Sequence, residues 1–257
     1  MGAVNRCLDC GHGCLAELPE REVFEGAYAD ATDVVSIEEE QGQLATAGRD
    51  LERIEGLVSA GRLLDVGCWT GSFLVAARGR GWRAEGLEPS KWAVQRATER
   101  GCDVRHTTLE AVELPPETYS AIVATDVIEH LVDPRGALAG LRSALEPGGV
   151  LFLAVPDAGS ALARALGRRW WSVLPMHVQY FTRRSMRTLL ERCGFEVVRV
   201  STHPKAFSFG YYADRLATFA VVSRPLVRAI TRSRRISTKL VAPDLRDRMA
   251  VVARRAA

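Results

Sequence analysis

The sequence predicts an α/β protein built on a Rossmann-like, doubly wound sheet of seven strands, mostly parallel, with helices on both faces. Two observations support this prediction. Short apolar strand-like segments alternate with helix-like segments from residue 62 to residue 155, and a glycine turn joins the first strand to its helix. Such alternation favours parallel strands joined by right-handed crossovers. A composition of 47% hydrophobic and 25% charged residues is that of a globular protein.

The elements follow in order along the chain. Apolar residues at helical spacing predict a helix between Glu38 and Ala60, ahead of the sheet. Residues 147–149, Pro-Gly-Gly, predict a turn before the fifth strand. The predicted strands are Arg62–Val66, Arg83–Leu87, Asp103–His106, Tyr119–Thr125 and Val150–Val155, and the predicted helices are Ser72–Arg80, Lys91–Arg100 and Pro134–Leu145.

The last third of the chain adds a helix at Thr182–Arg192 and two apolar strands, Phe195–Ser201 and Met249–Arg254. Between these strands, residues 207–239 are predicted to form a mostly helical insert. From residue 205 onward the chain carries 12 basic and 3 acidic residues. Such a basic segment fits a substrate cap, an anionic membrane surface or a solvated helix face. We divide the chain into an N-terminal segment (1–36), a core (37–204), the basic insert (205–240) and a last strand (241–257).

The glycine turn indicates the kind of ligand. It has the pattern D-V-G-x-x-x-G, with Asp65 inside the strand and glycines at Gly67 and Gly71. A dinucleotide site requires a glycine where this chain has Trp69, so an oxidoreductase is disfavoured. Glu88 ends the second strand, 21 residues after Gly67. A carboxylate at that edge of the sheet can accept two hydrogen bonds from a ribose diol.

Two further segments contain candidate reactive groups. The segment T-D-V-I-E-H-L-V-D-P follows the fourth strand and contains His130, whose ordinary pKa suits a general base. A structural role in holding the loop is equally open. The segment P-M-H-V-Q-Y-F-T contains His177. Trp170 and Trp171 lie just upstream, where they form either an aromatic wall for a substrate ring or part of the core.

Together these segments resemble the motifs of class I S-adenosylmethionine-dependent methyltransferases of the bacterial sugar and secondary-metabolite type. The resemblance implies S-adenosylmethionine as cofactor and an antiparallel last strand in the sheet. It also implies that His130 and His177 lie on the acceptor side of the methyl-transfer centre. The implied cofactor-binding residues are Asp65, Gly67, Cys68, Trp69, Gly71, Glu88, Pro89, Thr108, Leu109, Asp126 and Val127.

The resemblance further implies methyl transfer to a small-molecule acceptor, namely a sugar, glycolipid or secondary metabolite, at an oxygen. The arginines of the insert suit an acceptor that is phosphate-bearing or lipid-linked. Two alternatives stay open: a cofactor-binding protein without catalysis, and a methyltransferase that acts on a macromolecule. We expect no nucleic-acid partner, because the sequence shows no recognised RNA-binding module.

The N-terminus contains a C-x-x-C-G pattern at Cys7 and Cys10, which is half of a zinc ribbon. A closed zinc site needs four ligands, so this segment is either an incomplete knuckle or a vestige without metal, and no other metal site is predicted. No apolar run reaches the ~20 residues that span a bilayer. We therefore expect a cytoplasmic protein, with peripheral contact to the inner membrane as an option.

Overall fold

The structure is a computed structural model that describes residues 3–18, 32, 35–218 and 233–256. The strands are β1 (Val4–Arg6), β2 (Gly13–Leu15), β3 (Arg62–Val66), β4 (Arg83–Glu88), β5 (Asp103–His106), β6 (Tyr119–Thr125), β7 (Leu145–Pro156), β8 (Gln179–Tyr180), β9 (Phe195–Thr202), β10 (Phe207–Ser208), β11 (Leu240–Val241) and β12 (Arg248–Arg255). The α-helices are α1 (Val35–Glu38), α2 (Glu40–Glu55), α3 (Ser72–Gly79), α4 (Lys91–Glu99), α5 (Pro134–Ala144), α6 (Ala161–Leu166), α7 (Arg183–Arg192), α8 (Phe209–Thr218) and α9 (Arg234–Ser237).

Across the described ranges, the largest sheet has seven strands in the order β5-β4-β3-β6-β7-β12-β9. The first five of these strands are parallel to their neighbours. Strand β12 is antiparallel to both β7 and β9. The prediction of a doubly wound, mostly parallel sheet with an antiparallel last strand is confirmed. The strand order reverses between β3 and β6, which is where ligands bind in such sheets.

Both faces of the sheet are covered by helices, as predicted. Successive residues of a strand point to opposite faces, and on β3 the neighbours Leu63 and Leu64 are both fully buried. Leu64 packs in the cluster that includes Leu138 of α5 and Leu190 of α7. Leu63 packs in the other cluster, with residues of α2, α3 and α4. This two-sided burial holds the carboxyl ends of the strands in fixed positions.

Two elements differ from the prediction by several residues, whereas the other strands and helices of the sheet differ by one residue at most at either end. The predicted helix between Glu38 and Ala60 is interrupted at Glu39 and ends at Glu55. Strand β7 begins at Leu145 rather than at residue 150, so the predicted turn at residues 147–149 lies inside it. The cause is an irregular register, in which Leu145 pairs with Tyr119 and the pairing shifts before Ala121. Between these pairs β7 has more residues than β6, and Gly148, with φ of +76°, allows the chain to turn there.

The N-terminal hairpin and the insert are both tied to the core. Strands β1, β2 and β8 form a three-stranded sheet within the described residues, and the Thr182 hydroxyl donates a hydrogen bond to the Cys10 carbonyl at 2.9 Å. Strands β10 and β11 pair with each other, so the insert leaves and returns at one place. Parts of both predicted segments, residues 19–31 and 219–232, lie outside the described residues. Among the helices of the described ranges, none is long and apolar enough to cross a membrane.

Candidate active site

A cleft of about 1720 Å³ opens at the carboxyl ends of β3, β4 and β6. One half is lined by the glycine turn and the end of β4. The other half is lined by the loop after β6 and by the insert. Most predicted cofactor residues line this cleft: Asp65, Gly67, Cys68, Trp69, Glu88, Pro89, Thr108, Leu109, Asp126 and Val127.

The two glycines of the turn have different roles. Gly67 has φ of +68° and its N–H donates to the Leu87 carbonyl at 2.8 Å. A Cβ there would lie 2.6 Å from Val127 Cγ2, so only glycine fits beside the loop after β6. Gly71 has φ of +78° and precedes α3, where a Cβ would lie 2.9 Å from Cys102 Sγ. Gly71 is not among the residues that line the cleft, and its contacts are structural.

The Glu88 carboxylate is held by two backbone groups. Its Oε2 accepts the N–H of Trp69 at 2.9 Å and its Oε1 accepts the N–H of Ser90 at 2.8 Å. Burial raises the pKa of Glu88, and these two hydrogen bonds oppose the rise. Asp65 lies fully inside the structure, where burial and the nearby charge of Glu88 raise its pKa. The oriented Glu88 carboxylate, which also lines the cleft, fits a nucleoside with a ribose diol.

Cys68 and Trp69 line the half of the cleft that contains the glycine turn, called the cofactor half below. The Cys68 thiol occupies the space beside Gly86, where a Cβ would lie 2.5 Å from Cys68 Sγ. Burial raises the pKa of Cys68, so it stays a neutral thiol. Trp69 has φ of +48°, and its ring contacts Trp92 with 5.5 Å between centroids. Trp69 therefore both packs and lines the cleft.

Asp126 lies at the end of β6 with φ of +57°. Its two carboxylate oxygens are bound by the ammonium of Lys205 and the guanidinium of Arg248. Burial opposes ionisation, but the charges of Arg248 and Lys205 prevail and hold the pKa of Asp126 well below its usual range. Neither cation was predicted as a partner of Asp126, because no local sequence pattern links it to residues 79 and 122 positions away.

His130 and His177 lie together, as their predicted shared role requires. Their ring centroids are 4.6 Å apart in an edge-to-face arrangement. His130 lines the cleft, whereas His177 lies buried behind it. Burial lowers the pKa of His130, and burial together with the neighbouring His130 lowers that of His177 to about 4. Both rings are therefore neutral near pH 7, and of the two only His130 lines the cleft.

Glu129 lies next to these rings and was not predicted to take part. It is only 1% exposed, and neither carboxylate oxygen has a hydrogen-bond partner in the structure. Burial, followed by the charge of Asp126, raises the pKa of Glu129 to about 8.

Of the two alternatives for Trp170 and Trp171, the structure favours packing in the core. Trp170 is buried against Tyr180, and its indole N–H donates to Asp247 at 3.3 Å. Trp171 packs against the same cluster, and neither ring lines the cleft. The insert contributes two aromatic rings to the lining, Phe207 and Tyr211, which stack at 4.3 Å between centroids.

The N-terminal cysteines form a hairpin turn. The Cys7 N–H donates to the His12 carbonyl at 2.8 Å, and the Gly11 N–H donates to the Cys7 carbonyl at 3.0 Å. Hydrogen bonds from the neighbourhood of Cys10 lower the pKa of Cys7. In the portion of the chain described here, the one group of three potential metal ligands is Glu129, His130 and His177.

Comparisons with known proteins agree with this architecture. The family described as methyltransferase domain matches residues 38–200. A ubiquinone biosynthesis O-methyltransferase of Parvibaculum lavamentivorans is 33% identical over 99 residues, covering 36% of this chain and 39% of that protein. A probable S-adenosylmethionine-dependent methyltransferase of Mycolicibacterium smegmatis is 32% identical over 143 residues, and the match covers 54% of this chain and 53% of the Mycolicibacterium protein. The chain thus spans about half or less of these relatives.

Solved structures show the same fold at low identity. A methyltransferase of Thermotoga maritima, described as a possible histamine N-methyltransferase, has a TM-score of 0.55 at 21% identity, with 83% of this chain and 90% of that chain covered. A methyltransferase of Archaeoglobus fulgidus has a TM-score of 0.58 at 18% identity, with 86% and 100% covered. The chain therefore belongs to the methyltransferase domain family, and it has the fold of the S-adenosylmethionine-dependent methyltransferases of known structure.

Proposed function

We propose that the protein transfers a methyl group from S-adenosylmethionine to an oxygen of a small-molecule acceptor bound in the same cleft. The observation that carries the proposal is the Glu88 carboxylate, fixed by the N–H groups of Trp69 and Ser90 beside the Gly67 turn. This arrangement suits a ribose diol, and the cleft continues from it to the loop that bears His130. The relatives named as O-methyltransferases support oxygen as the methylated atom.

The cofactor half of the cleft is assigned residue by residue. Glu88 accepts hydrogen bonds from the ribose, and Gly67 lets the backbone approach the ligand. Trp69 and Leu109 present apolar surface to the adenine, with Pro89 and Thr108 beside them. When bound, S-adenosylmethionine supplies a methyl group that is already activated by the sulfonium. The protein then has to contribute mainly proximity and orientation.

The other half of the cleft, lined by the loop after β6 and by the insert, is the proposed acceptor half, and it combines aromatic surface with positive charge. Phe207 and Tyr211 give it an aromatic surface, and Lys205 and Arg215 place cations beside that surface. The cleft volume of about 1720 Å³ exceeds the ~300–1,000 Å³ of a usual ligand pocket. The cleft therefore has room for an acceptor beside the cofactor. These features support an acceptor with an apolar body and an anionic group, such as a phosphate-bearing or lipid-linked molecule. In this proposal the insert caps the acceptor.

His130 is the proposed polar contact for the acceptor. Its Nδ1 lies 2.9 Å from the Met176 carbonyl, and a carbonyl can only accept, so the proton is on Nδ1. The basic lone pair is therefore on Nε2. His177 is fixed in the same way by the Ser172 carbonyl at 2.8 Å, and it holds the His130 ring from behind.

The experiment that tests the proposal combines the purified protein with methyl-deuterated S-adenosylmethionine and an extract divided into lipid-soluble and water-soluble fractions. Mass spectrometry should find a labelled product in the lipid-soluble or phosphate-containing material. Glu88→Ala protein should give none at the same cofactor concentration. Absence of any labelled product from protein that binds the cofactor would contradict the proposal.

A further inference from the structure

We propose that Glu129, His130 and His177 form a zinc site whose open coordination position faces the acceptor half of the cleft. One potential ligand atom from each residue lies within 4.8 Å of the other two. The residues come from two segments, the turn after β6 and the loop before β8. The tertiary fold therefore brings the three residues together, because His177 is distant from Glu129 and His130 in the sequence.

Both histidines are already oriented as metal ligands are. A metal-bound histidine almost always donates its other ring N–H to a carbonyl, a carboxylate or water, which fixes its tautomer. Here the Nδ1 atoms of His130 and His177 lie 2.9 Å and 2.8 Å from the carbonyls of Met176 and Ser172. Each Nε2 is then the ligand atom.

Glu129 provides the second, independent observation. It is 1% exposed, and neither carboxylate oxygen has a hydrogen-bond partner. The nearby cations do not meet this need, because Lys205 and Arg248 are both bound to Asp126. A buried carboxyl group without a partner is costly, whether it is charged or neutral. A divalent cation between Glu129 and the two rings would satisfy it.

The donor set and its spacing favour zinc. Two imidazoles and one carboxylate form a common zinc donor set, whereas magnesium prefers oxygen ligands. With zinc–nitrogen bonds of ~2.0–2.1 Å, tetrahedral ligand atoms lie about 3.3 Å apart. The ligand atoms lie within 4.8 Å of one another in the structure, so zinc binding would draw them closer together through side-chain rotation.

Three protein ligands and one open position are typical of catalytic rather than structural zinc sites. Because His130 lines the cleft, the open position faces the acceptor half. A hydroxyl bound there would be oriented and its pKa lowered, with its proton leaving through the open cleft to water. This role of the zinc rests on the proposed function, whereas zinc binding itself does not require an acceptor.

Zinc titration tests the site directly. Full-length protein carrying Cys7→Ser and Cys10→Ser, so that the N-terminal thiols do not contribute, is stripped with a chelator. Zinc is then titrated against a chromophoric competitor, and cobalt is used for an absorption spectrum. We expect one zinc per chain and a tetrahedral cobalt spectrum without thiolate bands. Glu129→Gln and His177→Gln should each weaken zinc binding at least tenfold, while His12→Gln should leave it unchanged.

Calorimetry with S-adenosylhomocysteine shows which variants remain folded. No zinc binding by protein that still binds S-adenosylhomocysteine would overturn the site, and so would equal zinc affinity in Glu129→Gln and the parent. Once an acceptor is known, turnover that is unchanged after zinc removal would overturn the acceptor role. Zinc binding without methylation of any acceptor would instead count against the proposed function.

Discussion

The ammonium group of Lys205 pairs with the carboxylate of Asp126, although 79 residues separate them in the chain. Arg248 of β12 binds the other oxygen of the same carboxylate. This ion triad joins the end of β6, the start of the insert and the last strand, and Asp126 and Lys205 line the cleft. It also holds Asp126 at φ of +57°, a conformation that few non-glycine residues adopt.

Asp126→Asn tests the triad. Asparagine tolerates a positive φ, so the change removes the charge and leaves the backbone conformation accessible. Because Lys205 and Arg248 would then lack their shared counter-charge, the free energy of unfolding should fall by about 1–3 kcal/mol. Urea denaturation measures the change, and Asp103→Asn on the exposed edge of β5 is the control. Equal stability of Asp126→Asn and the wild type would show that the triad contributes nothing.

Gly67→Ala tests the close approach between the glycine turn and the loop after β6. The new Cβ would lie 2.6 Å from Val127 Cγ2 at a φ of +68°, so we expect a loss of about 1–3 kcal/mol of stability. Gly79→Ala at the end of α3 is the matched control, because no atom lies within 4 Å of its added Cβ. That variant should gain about 0.5–1 kcal/mol. A stable Gly67→Ala protein with full cofactor affinity would contradict our account of the turn.

The burial of His203 leads us to expect that the stability of the protein depends on pH. Its Nε2 bonds to Asp50 at 2.8 Å and its Nδ1 has no partner. Burial lowers the pKa of His203, and the positive charges of Arg248 and Lys205 lower it further, whereas the hydrogen bond and charge of Asp50 raise it. The unfolded chain therefore takes up a proton first, near the ordinary value of 6.5, and the folded chain does so only at lower pH. The stability from His203 is complete above that value and declines as the pH falls below it.

Urea denaturation at several pH values checks this sign. The difference in stability between wild type and His203→Gln should shrink as the pH falls below about 6.5. Taking the difference removes the contributions of the other buried histidines. A difference that grows on acidification would show that His203 is charged in the folded state.

Tyr211→Ala tests the insert as part of the acceptor site. The ring stacks on Phe207 and lies 5.3 Å from the guanidinium carbon of Arg215. Loss of one aromatic contact, worth about 0.5–1.5 kcal/mol, should raise the KM for an identified acceptor roughly threefold to tenfold. Cofactor affinity should not change, and exposed Arg235→Ala on α9 serves as control. An unchanged KM would place the acceptor away from α8.

That Gly67 and Glu88 line one cleft could be predicted from the sequence, because both lie at the ends of strands. Gly67 follows β3 and Glu88 ends β4, and adjacent parallel strands bring their ends together. Lys205 and Arg248 could not be predicted in this way, since they reach Asp126 only through the tertiary fold. The sequence left two alternatives open for Trp170, because proximity to His177 in the chain does not decide which face a side chain occupies.

Calorimetric titration of S-adenosylmethionine into wild type and Glu88→Gln tests the central claim most directly. The claim is that the Glu88 carboxylate, held by the N–H groups of Trp69 and Ser90, binds the cofactor's ribose. Wild-type protein should bind one cofactor per chain. Glu88→Gln should bind it about 1.5–3 kcal/mol more weakly, because a charge-assisted acceptor is lost. Exposed Glu99→Gln on α4 should bind as the wild type does. Equal affinity of Glu88→Gln and wild type, or no binding by wild type, would contradict the claim.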